Sequence, residues 1–207
     1  MTKEYIIEQA YIQILGGILH RDSNVERVDI ENLLPPVMAQ MFTNAVFQGK
    51  ADSRNDYAVS GFGSYTPPIE FYKEVVLTPV LDENTCVYYV QTPKLLDLPN
   101  MWNITTVRPK GSFNVDIIRV RSHSELIGAP ATGQGFYWVT NNNGTHKLWL
   151  PNISLPVQDI VATAVISPDA LEYTDEVPCP PSVEAAIIPM LVQTFRAQRA
   201  TPSETII

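Results

Sequence analysis

Between residues 5 and 19 the apolar positions Ile6, Ile7, Ala10, Tyr11, Ile14, Leu15, Ile18 and Leu19 form a two-residue-wide stripe. The stripe recurs about every 3.6 residues, which predicts an amphipathic helix. Gly16-Gly17 near its end costs about 1 kcal/mol per glycine against alanine, so either fraying or a close helix approach is expected there. A second helix is predicted to start at Pro35-Pro36, because proline is tolerated in a first helical turn. It continues through Val37, Met38, Met41, Phe42, Ala45 and Val46, and the two helices form a hairpin. Residues 48–56 lack an apolar period and read as a surface loop closing this arm.

Beyond Pro67-Pro68 the pattern becomes β. Residues 71–80 and 85–91 are rich in Val, Tyr and Thr, and Asp82-Glu83-Asn84 lies between them as the turn of a hairpin. Residues 114–120, 135–140, 146–150 and 160–166 are short, β-branched or aromatic runs bounded by Gly, Pro or Asn. In the strongest local signal, Phe136-Tyr137-Trp138-Val139 and Lys147-Leu148-Trp149-Leu150 flank Asn143-Gly144. That dipeptide supplies the two positive-φ positions of a tight hairpin turn.

Behind Pro180-Pro181, the residues Val183, Ala186, Ile187, Met190, Leu191 and Phe195 share one helical face. Glu184 near the start and Arg196 and Arg199 near the end complement the helix dipole, while Pro189 predicts a kink. Residues 201–207 are expected to be mobile or ordered by a neighbour. The expected fold is therefore α+β: a central antiparallel β-rich body, sandwich or barrel-like, with an N-terminal helical hairpin and a C-terminal amphipathic helix. The expected regions are 1–56 (helical), 57–179 (β-rich) and 180–207 (helix and tail).

Composition sharpens this picture in three ways. Charged residues make up 17% of the chain, below the roughly 25% of typical domains, so much of the surface is neutral or buried against a partner. The 17 prolines outnumber the 10 glycines, which favours fixed, extended connections over flexible ones. A net charge of −8 opposes docking onto a phosphate backbone, so no sequence-specific nucleic-acid binding is expected. No signal peptide and no uncharged run of about 20 apolar residues is found, so no membrane partner is expected.

Catalytic chemistry finds little footing. His20, His123 and His146 stand in no recognisable motif, and His123, beside Ser122, Ser124 and Glu125, is the best enzyme candidate. Neighbouring side chains in an extended segment point to opposite faces, so His123 reads as a polar loop residue and no catalytic residue is assigned. Cys86 and Cys179 lack metal or redox spacing and read as free thiols; no metal and no cofactor is expected. Gly133-Gln134-Gly135 precedes a strand instead of opening a helix, and reads as a turn. Asn-x-Ser/Thr triplets begin at Asn103, Asn143 and Asn152 and carry little weight without a secretory signal. The aromatics Tyr137, Trp138 and Trp149 offer a stacking platform for a sugar or peptide, although burial in the core is the commoner fate of such residues.

Two stretches carry a resemblance. Pro93-Lys94-Leu95-Leu96-Asp97-Leu98-Pro99-Asn100, followed by Ile104-Thr105-Thr106-Val107-Arg108-Pro109, resembles a segment of virion structural proteins of tailed bacteriophages, crAss-like phages in particular. Leu155-Pro156, the strand at residues 160–166, Ser167-Pro168-Asp169-Ala170-Leu171, Pro178 and the helix at residues 183–199 resemble the closing pattern of the same proteins. The resemblance implies a head-to-tail connector or adaptor: a ring of identical subunits, twelve-fold by the resemblance. Such a ring joins the portal to downstream neck and tail rings and surrounds the DNA channel. Its implied place is the virion neck or tail, after synthesis in the host cytoplasm. Candidate packing or assembly residues are Ile7, Tyr11, Ile14, Ile187, Met190, Leu191 and Phe195. A β-rich carbohydrate- or receptor-binding virion module, built on Tyr137, Trp138 and Trp149, is the alternative.

Overall fold

The computed structural model describes residues 1–16, 25–52, 68–98, 103–111, 117–120, 135–142, 145–151 and 158–200. The fold is α+β, with two N-terminal helices, two mostly antiparallel sheets and a C-terminal helix packed on the N-terminal pair. Contacts divide the chain into a helical unit, Met1–Phe71 with Ser167–Ile207, and a β unit, Tyr72–Ile166.

In the helical unit, α1 (Lys3–Ile14) begins at Thr2, whose side chain accepts a hydrogen bond from the Tyr5 amide at 3.3 Å. Ile6, Ile7 and Ala10 are buried, as the stripe predicts. The helix stops short of Leu19. Gly16 adopts φ +66°, a left-handed conformation open to glycine at little cost, and closes the last turn at Ile14. Arg196 adds a hydrogen bond to the Gln13 carbonyl at 3.3 Å, placing positive charge at the negative end of the helix.

The second helix, α2 (Arg27–Asp52), begins eight residues before the expected start and carries Pro35 and Pro36 in its interior. The true cap is at Glu26, where the amide donates to Asp29 Oδ2 at 3.0 Å in one half of a capping box. Ile30, Leu33, Leu34, Val37, Met38, Met41, Phe42 and Val46 are all buried along one uninterrupted face. Each such burial is worth roughly 1.5–3 kcal/mol, which together outweighs about 3 kcal/mol for an interior proline. The helix also runs through residues 48–52, which were expected to be loop. A 3₁₀ turn, Ile69–Phe71, returns Phe71 to this core, edge-on to Phe42 with ring centroids 5.0 Å apart.

The segment Ser167–Ile207 completes the helical unit. A 3₁₀ turn at Pro168–Ala170 leads to a loop that hydrogen-bonds the start of α1: the Lys3 amide donates to Asp175 O and the Glu4 amide to Tyr173 O, both at 2.9 Å. Lys3 is only 3% exposed, and the burial of its side chain is compensated on several sides. Nζ lies 2.7 Å from Glu31 Oε1, 3.1 Å from the Leu171 carbonyl and 5.0 Å from the centre of the Tyr173 ring. Tyr173 in turn donates its hydroxyl to Glu31 at 2.8 Å. The hydrogen bond from Lys3 holds Glu31 below the usual carboxylate range.

The last helix, α3 (Pro181–Ala200), opens on Pro181 and packs on α1 and α2 through Ile187, Leu191, Val192 and Phe195. Ala186, expected on the apolar face, is exposed, and Val192 is buried in addition to the expected residues. Pro189 lies within the helix on an exposed position.

The β unit contains β1 (Lys73–Leu77), β2 (Val80–Asp82), β3 (Val87–Gln91), β4 (Ile104–Pro109), β5 (Ile118–Arg119), β6 (Phe136–Asn142), β7 (Thr145–Leu150) and β8 (Ile160–Ala164). They form a three-stranded sheet, β1-β8-β4, and a five-stranded sheet, β2-β3-β7-β6-β5. All pairings are antiparallel except β5 with β6. The expected hairpin of residues 71–80 with 85–91 is therefore shorter than its apolar run. Pro79 cannot donate to a ladder, and there the chain leaves one sheet for the other, so only β2 pairs with β3. Residue Cys86 closes that turn at φ +54°, with its amide donating to Asp82 O at 2.8 Å.

Candidate functional site

Alternation along the strands sorts the five-stranded sheet into two faces. Val90, Tyr137, Leu148 and Leu150 point to the buried face. The opposite face carries a row in register across the sheet: Val80 opposite Tyr89, Tyr89 opposite Trp149, and Trp149 opposite Trp138. Ile118 pairs with residue 136, two before Trp138, and so extends the same face onto the fifth strand. Val80 and Ile118 are 50% and 41% exposed, and the three aromatics between them are half-buried. This row is the candidate interaction surface of the β unit.

The row is internally packed. Trp138 and Trp149 stack at 6.0 Å with ring planes 10° apart, and Tyr89 tilts against Trp149 at 5.4 Å. Trp149 Nε1 donates to Thr140 Oγ1 at 2.8 Å. The Lys147 ammonium lies 4.4 Å from the Tyr89 ring centre and 5.8 Å from that of Trp149, within cation–π range of both. Asp82, at the edge of the same face, is engaged in its own turn by the Asn84 amide at 3.2 Å and the Thr85 hydroxyl at 2.8 Å.

The expected aromatic platform thus divides: Trp138 and Trp149 share the outer face, whereas Tyr137 is buried at 3% exposure. Tyr89 belongs to the row but escaped sequence reasoning, because its membership depends on β3 pairing with β7 across a long stretch of chain. Lys147, beside the row, shares the face of Trp149 by strand alternation alone and was not singled out. Ile7, Ile187, Leu191 and Phe195 pack in the interior of the helical unit, while Tyr11, Ile14 and Met190 are half-buried. His20, His123, Gly133, Gln134, Asn143, Gly144 and the segment 201–207 lie outside the described residues.

Charge is unevenly divided between the units. The helical unit holds 15 Asp and Glu against 7 Lys and Arg, and the β unit 7 against 7, so the whole net charge of −8 belongs to the helical unit. Within it, a shallow cleft of about 300 Å³ is rimmed by Glu4, Glu8, Glu31 and Arg27 beside the half-exposed Val28 and Tyr173.

The remaining titratable groups are scattered. Among the described residues, no three His, Cys, Asp or Glu side chains are placed to hold a metal, and no helix is long and apolar enough to cross a membrane. Burial pushes the Cys179 thiol up to about 11, away from the reactive thiolate, while Cys86 is exposed. His146 Nδ1 is shut from solvent and meets no hydrogen-bond partner among the described residues. Burial holds the ring below its ordinary 6.5, with Asp97 opposing and Arg119 adding to the shift. A folded-state value below the unfolded one means that the unfolded chain binds the proton more readily. Stability is therefore expected to be full above pH 6.5 and to fall as acid protonates the ring. His146→Phe should flatten that limb of a stability–pH profile measured by urea unfolding; an unchanged profile would exclude His146 as its source.

Comparison with protein-family models and with curated proteins finds no match to this chain.

Proposed function

We propose that this chain is a structural virion protein of a tailed bacteriophage, a subunit of a closed ring in the neck or tail. The ring connects the portal to downstream tail components and surrounds the DNA channel. The observation that carries an assembly role is the outer row Val80, Tyr89, Trp149, Trp138 and Ile118. Its centre combines tyrosine and tryptophan, residue types enriched at interface hot spots, with rings that pack against one another. Two chemically unlike units, one acidic and one neutral, suit the head-to-tail contacts that close a ring. The phage setting rests on the resemblance of residues 93–109 and 155–199 to virion connector proteins.

Electron microscopy and native mass spectrometry of the purified protein supply the test. Closed rings of one stoichiometry are the expected result, and a chain that stays monomeric at every concentration would refute the reading.

The stacked Trp138 and Trp149 on the same face favour a second reading, a carbohydrate- or receptor-binding virion module. Saccharide binding by the monomer, abolished in Trp149→Ala, would select it over the ring subunit.

A further inference from the structure

We propose that the outer face of the five-stranded sheet, centred on Trp149 and Lys147, binds the acidic helical unit of a second copy of this chain. This rests on the ring reading above and names the two surfaces through which the ring closes. The warrant is charge complementarity. Among the described strand residues of that face, Lys147 is the one cation, and the one carboxylate, Asp82, is tied into its own turn. The β unit as a whole is neutral, and the helical unit carries all eight net negative charges.

Contact between two helical units would set like charge against like, which opposes a two-fold pairing through that surface. Contact between the sheet face and a helical unit avoids that repulsion and gives Lys147 a carboxylate partner. Such a contact joins two different surfaces, so it can propagate from copy to copy, and it closes as a ring when the rotation between successive copies closes. The cleft matches the sheet face through the exposed Glu4, which stands beside the exposed Val28 and Tyr173, whereas Glu8 on the same rim is paired with Arg27 at 2.8 Å and Glu31 with Lys3 at 2.7 Å. The Trp149–Thr140 hydrogen bond, the Trp138–Trp149 stack and the Lys147–Tyr89 contact order the sheet side in advance, so less side-chain freedom is lost on docking.

The test mixes nitrogen-15-labelled and unlabelled full-length protein under assembling conditions and treats it with a carbodiimide, which joins an amine directly to a contacting carboxylate. Mass spectrometry is expected to find Lys147 linked, between copies of different label, to a carboxylate within residues 1–71 or 167–207. Lys147→Glu, an outer-face change that leaves the buried face intact, is expected to lower the association constant on the order of ten-fold. Lys147 products confined to residues 72–166 or to one copy, or none from assembled protein, would overturn the proposal. So would a Lys147→Glu chain that associates like the parent; rings would then persist and the ring reading would survive. A parent chain that never associates defeats both. Saccharide binding lost on replacing Trp149 would overturn the proposal by assigning the face to carbohydrate.

Discussion

Deletion of residues 182–207 is expected to unfold the helical unit outright. The truncation removes Ile187, Leu191, Val192 and Phe195, four side chains that α3 buries against α1 and α2. At roughly 1.5–3 kcal/mol each, their loss amounts to about 6–12 kcal/mol. That is the same order as the whole stability of a domain, about 5–15 kcal/mol. The deletion also exposes the faces of α1 and α2 that α3 covered, so the truncated chain should aggregate as well as unfold. Far-ultraviolet circular dichroism should report lost helix and urea titration a lost cooperative transition. The stacked Trp138–Trp149 pair gives a separate near-ultraviolet signal from the β unit. A truncated chain with native helix content and an unchanged urea midpoint would contradict the assignment of α3 to the helical core. Lost assembly in such a variant is accordingly a consequence of lost folding, and surface changes such as Lys147→Glu are the cleaner probes of subunit contact.

Replacement of Phe42 by alanine is the point mutation with the largest expected effect. The ring has no exposure at all and meets Phe71 edge-on, with an angle of 65° between ring planes. Truncation leaves a void that the α2 backbone cannot collapse to fill, because neighbouring turns of the helix hold it in place. Aromatic-to-alanine changes of this kind cost about 3–5 kcal/mol. The urea midpoint should fall with little change in slope. Phe42→Leu, which keeps much of the volume, should cost less. A double cycle with Phe71→Ala should return a coupling of about 0.5–1.5 kcal/mol for the ring pair beyond area burial. A loss below about 1 kcal/mol for Phe42→Ala would mean that the ring is not packed as described.

Parts of this architecture are legible from residue order, and the reasons differ between elements. The helix α3 announces itself because apolar spacing, Pro181 at its start and an arginine in its last turn all agree. The start of α2 misleads because Pro35-Pro36 looks like a helix opening, although Ile30, Leu33 and Leu34 already stand in phase with Val37 and Met38. Phase outranks proline there because eight buried side chains set the outcome and the prolines only tax it. The β6–β7 hairpin is similarly readable, since its register leaves residues 143 and 144 between paired Asn142 and Thr145. The partition of the aromatic cluster is not. Alternation requires that Tyr137 and Trp138 face opposite ways, but only the pairing of β6 with β7 and the packing behind them select which one is buried.

Local pattern therefore settled α1, α3 and the β6–β7 hairpin, because periodicity and turn residues act over a few residues, but it missed residues 27–34 and 48–52 of α2 and the strand β4. It also settled the total charge. Two decisions belonged to the tertiary fold. Pro79 divides one apolar run between two sheets, and the partners that make this a change of sheet, β8 for β1 and β3 for β2, come from distant parts of the chain or from across a turn. The meeting of residues 1–71 with 167–207 gathers all the net negative charge into one unit and leaves the aromatic sheet in a neutral one. Long-range pairing and burial sum over contacts that no short window contains, and for that reason the row of Tyr89, Trp149 and Trp138 exists only in the folded chain.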